Sequence, residues 1–249
     1  MTDGCEETRE AGCIDEQIAV ALEGRRSFYD LLAALYFRPL TAEQIDRFAV
    51  FDWSCYAEVN ERFAAGANDV QRYLRKRNTG TRQELAVDFT GSFGGTSTWE
   101  GRYAVPYESV FTSEDGLMCQ ESYHEVHALF RESGVARAEG YDYPDDHLSF
   151  MFEYLGVLSD RMEGGVRCGA WEEVLNWAET SARFVDEHVL SWFDDFKGVA
   201  LRLVRTRFYR GFLGITEGFL RFDRELLDDV ADVARLRAAE CVSGLAEAM

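Results

Sequence analysis

Glu23-Gly24-Arg25-Arg26-Ser27-Phe28-Tyr29-Asp30-Leu31-Leu32-Ala33-Ala34-Leu35-Tyr36-Phe37, EGRRSFYDLLAALYF, can be read in two ways that lead to different proteins. Two arginines before an apolar run open a twin-arginine export leader, which needs a basic start, a smooth apolar centre and a small-residue cleavage site. The residues before Arg25 instead include Asp3, Glu6, Glu7, Glu10, Asp15, Glu16 and Glu23. Asp30 interrupts the apolar run, and no Ala-x-Ala precedes Arg38-Pro39. The alternative is an amphipathic helix: Ile18, Leu22, Phe28, Leu32, Leu35 and Tyr36 recur at helical spacing, and the helix should stop before Pro39. The arginines are therefore expected within the fold's first helix.

The rest of the chain extends that helical reading. Only three prolines interrupt 249 residues, and 47% hydrophobic with 14% aromatic content is ample for a buried core. Period-two alternation is absent, so the fold class is all-α, a bundle of about ten or more helices. We expect one domain over 1–249; two helical subdomains meeting in the 94–143 region are the alternative. No stretch approaches the roughly 18 apolar residues of a membrane span. With 26 basic against 45 acidic residues the formal charge is −19, which disfavours nucleic acid and anionic membranes and suits a basic partner. The cysteines at 5, 13, 55, 119, 168 and 241 have no metal-site spacing and read as reduced thiols, several packed as small hydrophobes, of a cytoplasmic protein.

Local signals place the elements. Thr41-Ala42-Glu43-Gln44 and Thr81-Arg82-Gln83-Glu84 are capping boxes, and 53–65 and 67–78 carry helical patterns between them. After Phe93, Gly94-Gly95-Thr96-Ser97 opens an irregular segment to about 117. Helix resumes near Cys119, with Tyr123, Val126, His127 and Phe130 on one face, and stops at Gly134. Pro144 is expected in the first turn of a helix, with Asp145 and Asp146 favoured by its dipole, running to Gly164-Gly165. Further helices are expected over 169–187, over 198–221, and from 223 with Asp223 as N-cap.

Three motifs raise chemistry. Glu121 and His124 stand at i and i+3 with His127 one turn on, the basis of an alternative reading as a metal-dependent helical enzyme. Carboxylate-bridged metal bundles need a second such motif, and no other histidine has a glutamate three residues before it, so no metal site is assigned. Gly91-Ser92-Phe93-Gly94-Gly95 follows a helix and lacks Gly-Lys-Ser/Thr, so it reads as a loop and not a phosphate cradle. Two segments remain: Val105-Pro106-Tyr107-Glu108-Ser109-Val110-Phe111, and Tyr143-Pro144-Asp145-Asp146-His147. A groove between them would have an aromatic floor and an acidic rim, suited to a peptide bearing arginines followed by apolar residues.

These residues also carry a resemblance. Arg25 or Arg26 with Tyr29, Leu32, Leu35 and Pro39, Pro106-Tyr107-Glu108-Ser109-Val110, Pro144-Asp145-Asp146-His147, His188 with Trp192, and Phe208-Tyr209 resemble, in order and spacing, the TorD/DmsD family of chaperones related to NarJ. Asp88 to Gly94 resembles that family's aromatic-x-x-Leu-Phe element, with Ser92 where leucine is usual. The resemblance implies a TorD-like fold and no catalytic turnover or cofactor. The partners it implies are a twin-arginine signal peptide and an apo-molybdoenzyme, held in the cytoplasm until the molybdopterin cofactor is inserted. It also leaves the protein a monomer or a domain-swapped homodimer. Phe89, Phe93, Pro106, Tyr107, Ser109, Pro144, Asp146 and His147 are the expected peptide-binding residues. Client arginines are expected at Asp146, with His147 either positioning that carboxylate or titrating near neutral pH.

Overall fold

The computed structural model describes residues 3–53, 59–138, 140 and 143–247, with side chains described between 12 and 240. Among them there is no β-strand, only two isolated bridges, Trp99 with Arg102 and Tyr107 with His147. The helices are α1 (Asp3–Phe37), α2 (Ala42–Val50), α3 (Glu61–Leu74), α4 (Thr81–Ser92), α5 (Glu108–Thr112), α6 (Glu121–Glu132) and α7 (Leu148–Cys168). Next comes α8 over 171–203, one rod formed by α-helix Trp171–Phe184, a π-helical stretch Val185–Leu190 and α-helix Ser191–Leu203; α9 (Arg207–Glu247) closes the chain. The all-α expectation holds. The described helices number nine and not ten or more: α8 and α9 run on through 188–197 and 222, where breaks were expected, while the helix expected over 198–221 is instead divided at 204–206.

Helix α1 lies along α7, while α9 lies along α3 and α8. One buried apolar cluster runs between them, holding Leu22, Tyr29, Phe63, Phe152, Phe184, Trp192, Phe196, Phe208 and Phe212. The α3–α9 crossing is close enough to need glycine: a Cβ on Gly66 would collide with the Gly211 carbonyl, and one on Gly211 would lie 2.5 Å from the Gly66 carbonyl.

Several local signals behave as their chemistry suggests. Thr41 Oγ1 accepts from the Gln44 amide and the Gln44 side chain accepts from the Thr41 amide, a complete capping box. Gly134, with φ of 63°, ends the segment after α6. Others differ. Thr81 is not a cap: Gly80 precedes α4, and the Thr81 hydroxyl accepts from the Asn78 amide. Of the patterns over 53–65 and 67–78, the structure has a single helix, α3, and residues 54–58 lie outside the described part. The irregular 94–117 segment contains the short helix α5.

Pro144, Asp145 and Asp146 precede α7, whose N-cap is His147. Gly164-Gly165 lies within α7, which ends at Gly169 in the left-handed conformation; Gly165 accepts close packing by Val174 instead of stopping the helix. Asp223 is no cap but a wholly buried residue inside α9.

Both arginines of the opening stretch lie in α1, as expected, yet they differ. Arg26 is partly exposed and pairs with Asp30 and Asp160, each at 2.9 Å. Arg25 is sealed in the core. Its Nε donates to Asp223 Oδ1 at 2.6 Å and its second arm to Oδ2 at 3.1 Å, while the third nitrogen donates to Leu155 O and Ser159 Oγ. Tyr29 OH donates to Asp223 Oδ2 at 2.6 Å, so one buried polar node ties α1, α7 and α9 together. Cys13, Cys119 and Cys168 are free and exposed, not packed in the core; the other three cysteines lie outside the described side chains. Among the described residues no helix is long and apolar enough to cross a membrane.

Candidate functional site

The two segments singled out in the sequence meet. Tyr107 and His147 form an antiparallel bridge, the Leu148 amide donates to Pro106 O at 2.9 Å, and the Glu108 amide donates to Asp146 O at 3.1 Å. Helix α5 has no side-chain cap of its own at Tyr107. Asp146 supplies one from the other segment: its Oδ2 accepts from the Ser109 amide at 3.0 Å and from Ser109 Oγ at 2.5 Å. An N-terminal helix amide is a natural partner for a carboxylate, which is why an Asp is useful here.

Asp146 is fully enclosed, its Oδ1 has no protein hydrogen-bond partner, and burial raises its pKa against the lowering effect of the Ser109 bonds. His147 caps α7 by accepting the Ser149 amide on Nδ1 at 3.1 Å. Its amide donates to Pro144 O, and its ring lies against Tyr107, Tyr143 and Phe150. Burial pushes the imidazole down to about 3, so it is a neutral acceptor at ordinary pH and does not titrate near neutrality.

Beside this junction a second buried link anchors α5. His188, in the π-helical stretch of α8, lies 3.2 Å from both oxygens of Glu108. Burial pulls the His188 pKa down, but the Glu108 bond and charge outweigh it and leave it raised; burial likewise raises Glu108, with His188 opposing. The π-turn swings His188 toward α5 while its carbonyl accepts from Trp192 Nε1 at 2.5 Å.

Phe89 and Phe93 are elsewhere in role. Both are buried, packed on each other at 5.5 Å and against Tyr209, and Phe93 also meets Tyr36 and Phe196. They are core rings, Phe89 within α4 and Phe93 at its C-cap. Their neighbour Asp88 accepts from the Arg205 and Thr206 amides and the Thr206 hydroxyl, capping the start of α9.

The open surface next to the junction comes from residues the sequence reading did not select. A groove of about 390 Å3 runs between α1 and α7, with Phe37 and Phe150 as apolar wall and Asp30 and Glu153 as acidic rim. Phe37 packs on Tyr143 at 5.6 Å and on Phe150 at 6.0 Å, and Phe150 contacts His147, so this wall is continuous with the junction. Glu153 is exposed at the groove mouth, and its pKa is raised first by partial desolvation of the carboxyl and then by the charge of Asp30, against Arg26. Arg26 already pairs with Asp30 at 2.9 Å, so among the described residues Glu153 is the rim carboxylate left to meet an incoming cation. Arg38 and Arg137 also line the groove; Arg137 is engaged by Asp145 at 3.2 Å and lies over the Phe150 ring. The signal in the sequence was the pairing of an acid and a Phe at helical spacing on two helices, Asp30 with Phe37 and Phe150 with Glu153.

For the metal reading, Glu121 and His124 are exposed on α6, and the His127 ring instead meets Asp145 Oδ2 at 2.6 Å. Among the described residues no group of three or more His, Cys, Asp or Glu is placed to hold a metal ion.

Comparison with known proteins agrees with this architecture. The sequence model of the nitrate reductase delta subunit family matches residues 57–197, more than half of the chain. The chain is 27% identical over 219 residues to the "Chaperone protein TorD" of Vibrio vulnificus, covering 85% of this chain and 98% of that protein. It is 23% identical over 210 residues to the protein of the same name from Aliivibrio fischeri, covering 82% and 95%. Against that of Photobacterium profundum it is 23% identical over 212 residues, covering 82% and 94%. The chain belongs to the nitrate reductase delta subunit family and is, within it, a TorD-family chaperone and not an enzyme.

Proposed function

We propose that this chaperone acts in the cytoplasm, where it holds the twin-arginine signal peptide and the apo form of a molybdopterin oxidoreductase until cofactor insertion, delaying export. The observation that carries the reading is the groove between α1 and α7: an aromatic wall from Phe37 and Phe150 under an acidic rim of Asp30 and Glu153. A leader's apolar run lies along the wall, and its arginines meet the rim, where a planar guanidinium can take Glu153 bidentately while Asp30, paired with Arg26, adds to the negative potential. Pro106, Tyr107, Ser109, Pro144, Asp146 and His147 form the supporting junction. With Asp146 enclosed as a cap, its part is to fix the start of α7 and hence Phe150 and Glu153. Phe89 and Phe93 stiffen α4 behind the same core.

Calorimetric titration tests this with a synthetic peptide carrying adjacent arginines before an apolar run. Glu153→Gln should weaken binding by about tenfold, the loss of one charge-assisted contact. Asp146→Asn and His147→Ala should weaken it through displacement of α7. Unchanged affinity in all three variants, with folding intact, removes the groove and the junction from the site.

A further inference from the structure

In a protein with 45 acidic and 26 basic residues, a cation should find a partner easily, yet only about half of the described arginines have a carboxylate partner, among them Arg26, Arg167 and Arg224. The turn from α3 to α4 gathers several of the others. Arg72, Arg75, Lys76 and Arg207 converge on an open cavity of about 650 Å3. Among the described residues Arg72, Arg75 and Lys76 have no ion-pair or hydrogen-bond partner on their side chains, and Arg207 has only exposed Asp69 at 3.6 Å. A second hollow of about 400 Å3 shares Asn78 and Thr81 with the first and adds Arg77 and Arg82. Arg77 reaches Asp46 at 3.3 Å, and Arg82 has no ion-pair or hydrogen-bond partner on its side chain among the described residues. Two carboxylates line the hollows: Glu84, which accepts from Tyr73 OH at 2.7 Å, and Asp46, which is paired with Arg77.

The C-terminal dipole of α3 explains why Arg72, Arg75 and Lys76 are basic, since cations are favoured there. It does not explain Arg82 and Arg207, which arrive from α4 and α9. The Tyr73 ring packs on Phe208 and its hydroxyl is held by Glu84, so the surface offers no free ring face for stacking a base. What it offers is a group of cations, Arg72, Arg75, Arg82, Arg207 and Lys76, lining two neighbouring hollows that share Asn78 and Thr81, where guanidinium forks can take carboxylates.

We propose that the α3–α4 turn docks an acidic segment, a run of Asp and Glu, of a partner polypeptide. Helix α2 borders both this surface and the leader groove, giving Gln44 to the groove and Ala42, Ile45 and Asp46 to the second hollow, while Arg72, Arg75, Lys76 and Arg207 line only the basic surface, so one chaperone can engage a basic leader and an acidic segment at separate hollows. Fluorescence anisotropy with a short labelled Asp/Glu peptide and the full-length chain tests the proposal. Binding should weaken as ionic strength rises and be absent for the matching Asn/Gln peptide. The triple variant Arg72→Gln/Arg75→Gln/Lys76→Gln should bind about tenfold or more weakly, while Arg183→Gln, an exposed arginine of α8, binds as the parent. Arg207→Gln alone should also weaken binding, which keeps the test decisive if the triple variant misfolds. Equal affinity of parent and variants, or binding of pyrophosphate without binding of the acidic peptide, overturns the proposal.

Discussion

Removing Asp223 should be among the costliest single changes in this protein. The perturbation is Asp223→Ala. In the parent, the guanidinium of Arg25 and the Asp223 carboxylate are both fully enclosed and joined by two hydrogen bonds, at 2.6 and 3.1 Å. Without Asp223, the buried Arg25 charge retains only two neutral acceptors, Leu155 O and Ser159 Oγ, and Tyr29 OH loses its acceptor. Breaking a buried pair by deleting one partner costs about 3–5 kcal/mol, because the remaining charge is left uncompensated. For a chain of this length that corresponds to a fall in Tm of about 6–20 °C. Urea unfolding followed by circular dichroism measures the first figure and a thermal scan the second. Arg26→Ala, which removes exposed pairs to Asp30 and Asp160, should cost no more than about 1 kcal/mol. Arg25→Leu/Asp223→Leu should be more stable than Asp223→Ala, since no buried charge remains. A loss below about 1 kcal/mol for Asp223→Ala would refute the assignment of this node as a buried, interdependent pair.

Two further outcomes follow from the geometry. His147, pushed down to about 3 by burial, binds a proton in the unfolded chain near its ordinary value but not in the fold, so its contribution to stability is complete above pH 6.5 and falls as pH drops toward 3. Urea titrations across that window should show a slope of up to about 1.4 kcal/mol per pH unit that His147→Asn flattens; an unchanged slope contradicts a neutral buried imidazole. Gly66→Ala should destabilise by about 1–3 kcal/mol through overpacking at the Gly211 carbonyl, whereas Gly214→Ala, whose added Cβ would sit 3.4 Å from Arg62 O, should cost less; equal costs would count against a close α3–α9 crossing.

Local chemistry was legible in the sequence wherever local chemistry decides the outcome. The helical spacing of Leu22, Phe28, Leu32 and Tyr36 predicts α1, and Thr41 with Gln44 predicts the start of α2. The sequence points to a groove between Pro106–Ser109 and Pro144–His147; the two segments do meet, but Pro106–Ser109 and Asp145–His147 are buried against one another and the neighbouring core instead of walling an open groove. What escaped depends on partners far along the chain. Asp223 looks like a cap because Asp is poor inside helices, and only the buried Arg25, 198 residues away, accounts for it. Asp146 looks like a first-turn acid of its own helix, but it caps α5 instead. Phe89 and Phe93 have the i, i+4 spacing of both a groove wall and a core face, and only packing against Tyr36, Phe196 and Tyr209 separates the two. The groove itself is built by two helices whose contact no single stretch of sequence records.

Photo-cross-linking tests the central claim most directly. A twin-arginine peptide carrying a benzophenone beside its arginines would be irradiated on the intact chain and the adducts mapped by mass spectrometry. The account predicts adducts on α1 between Asp30 and Phe37 and on α7 between Phe150 and Glu153, competed by unlabelled Arg-Arg peptide and poorly by its Lys-Lys counterpart. Adducts confined to other faces, or equal competition by both peptides, would contradict it.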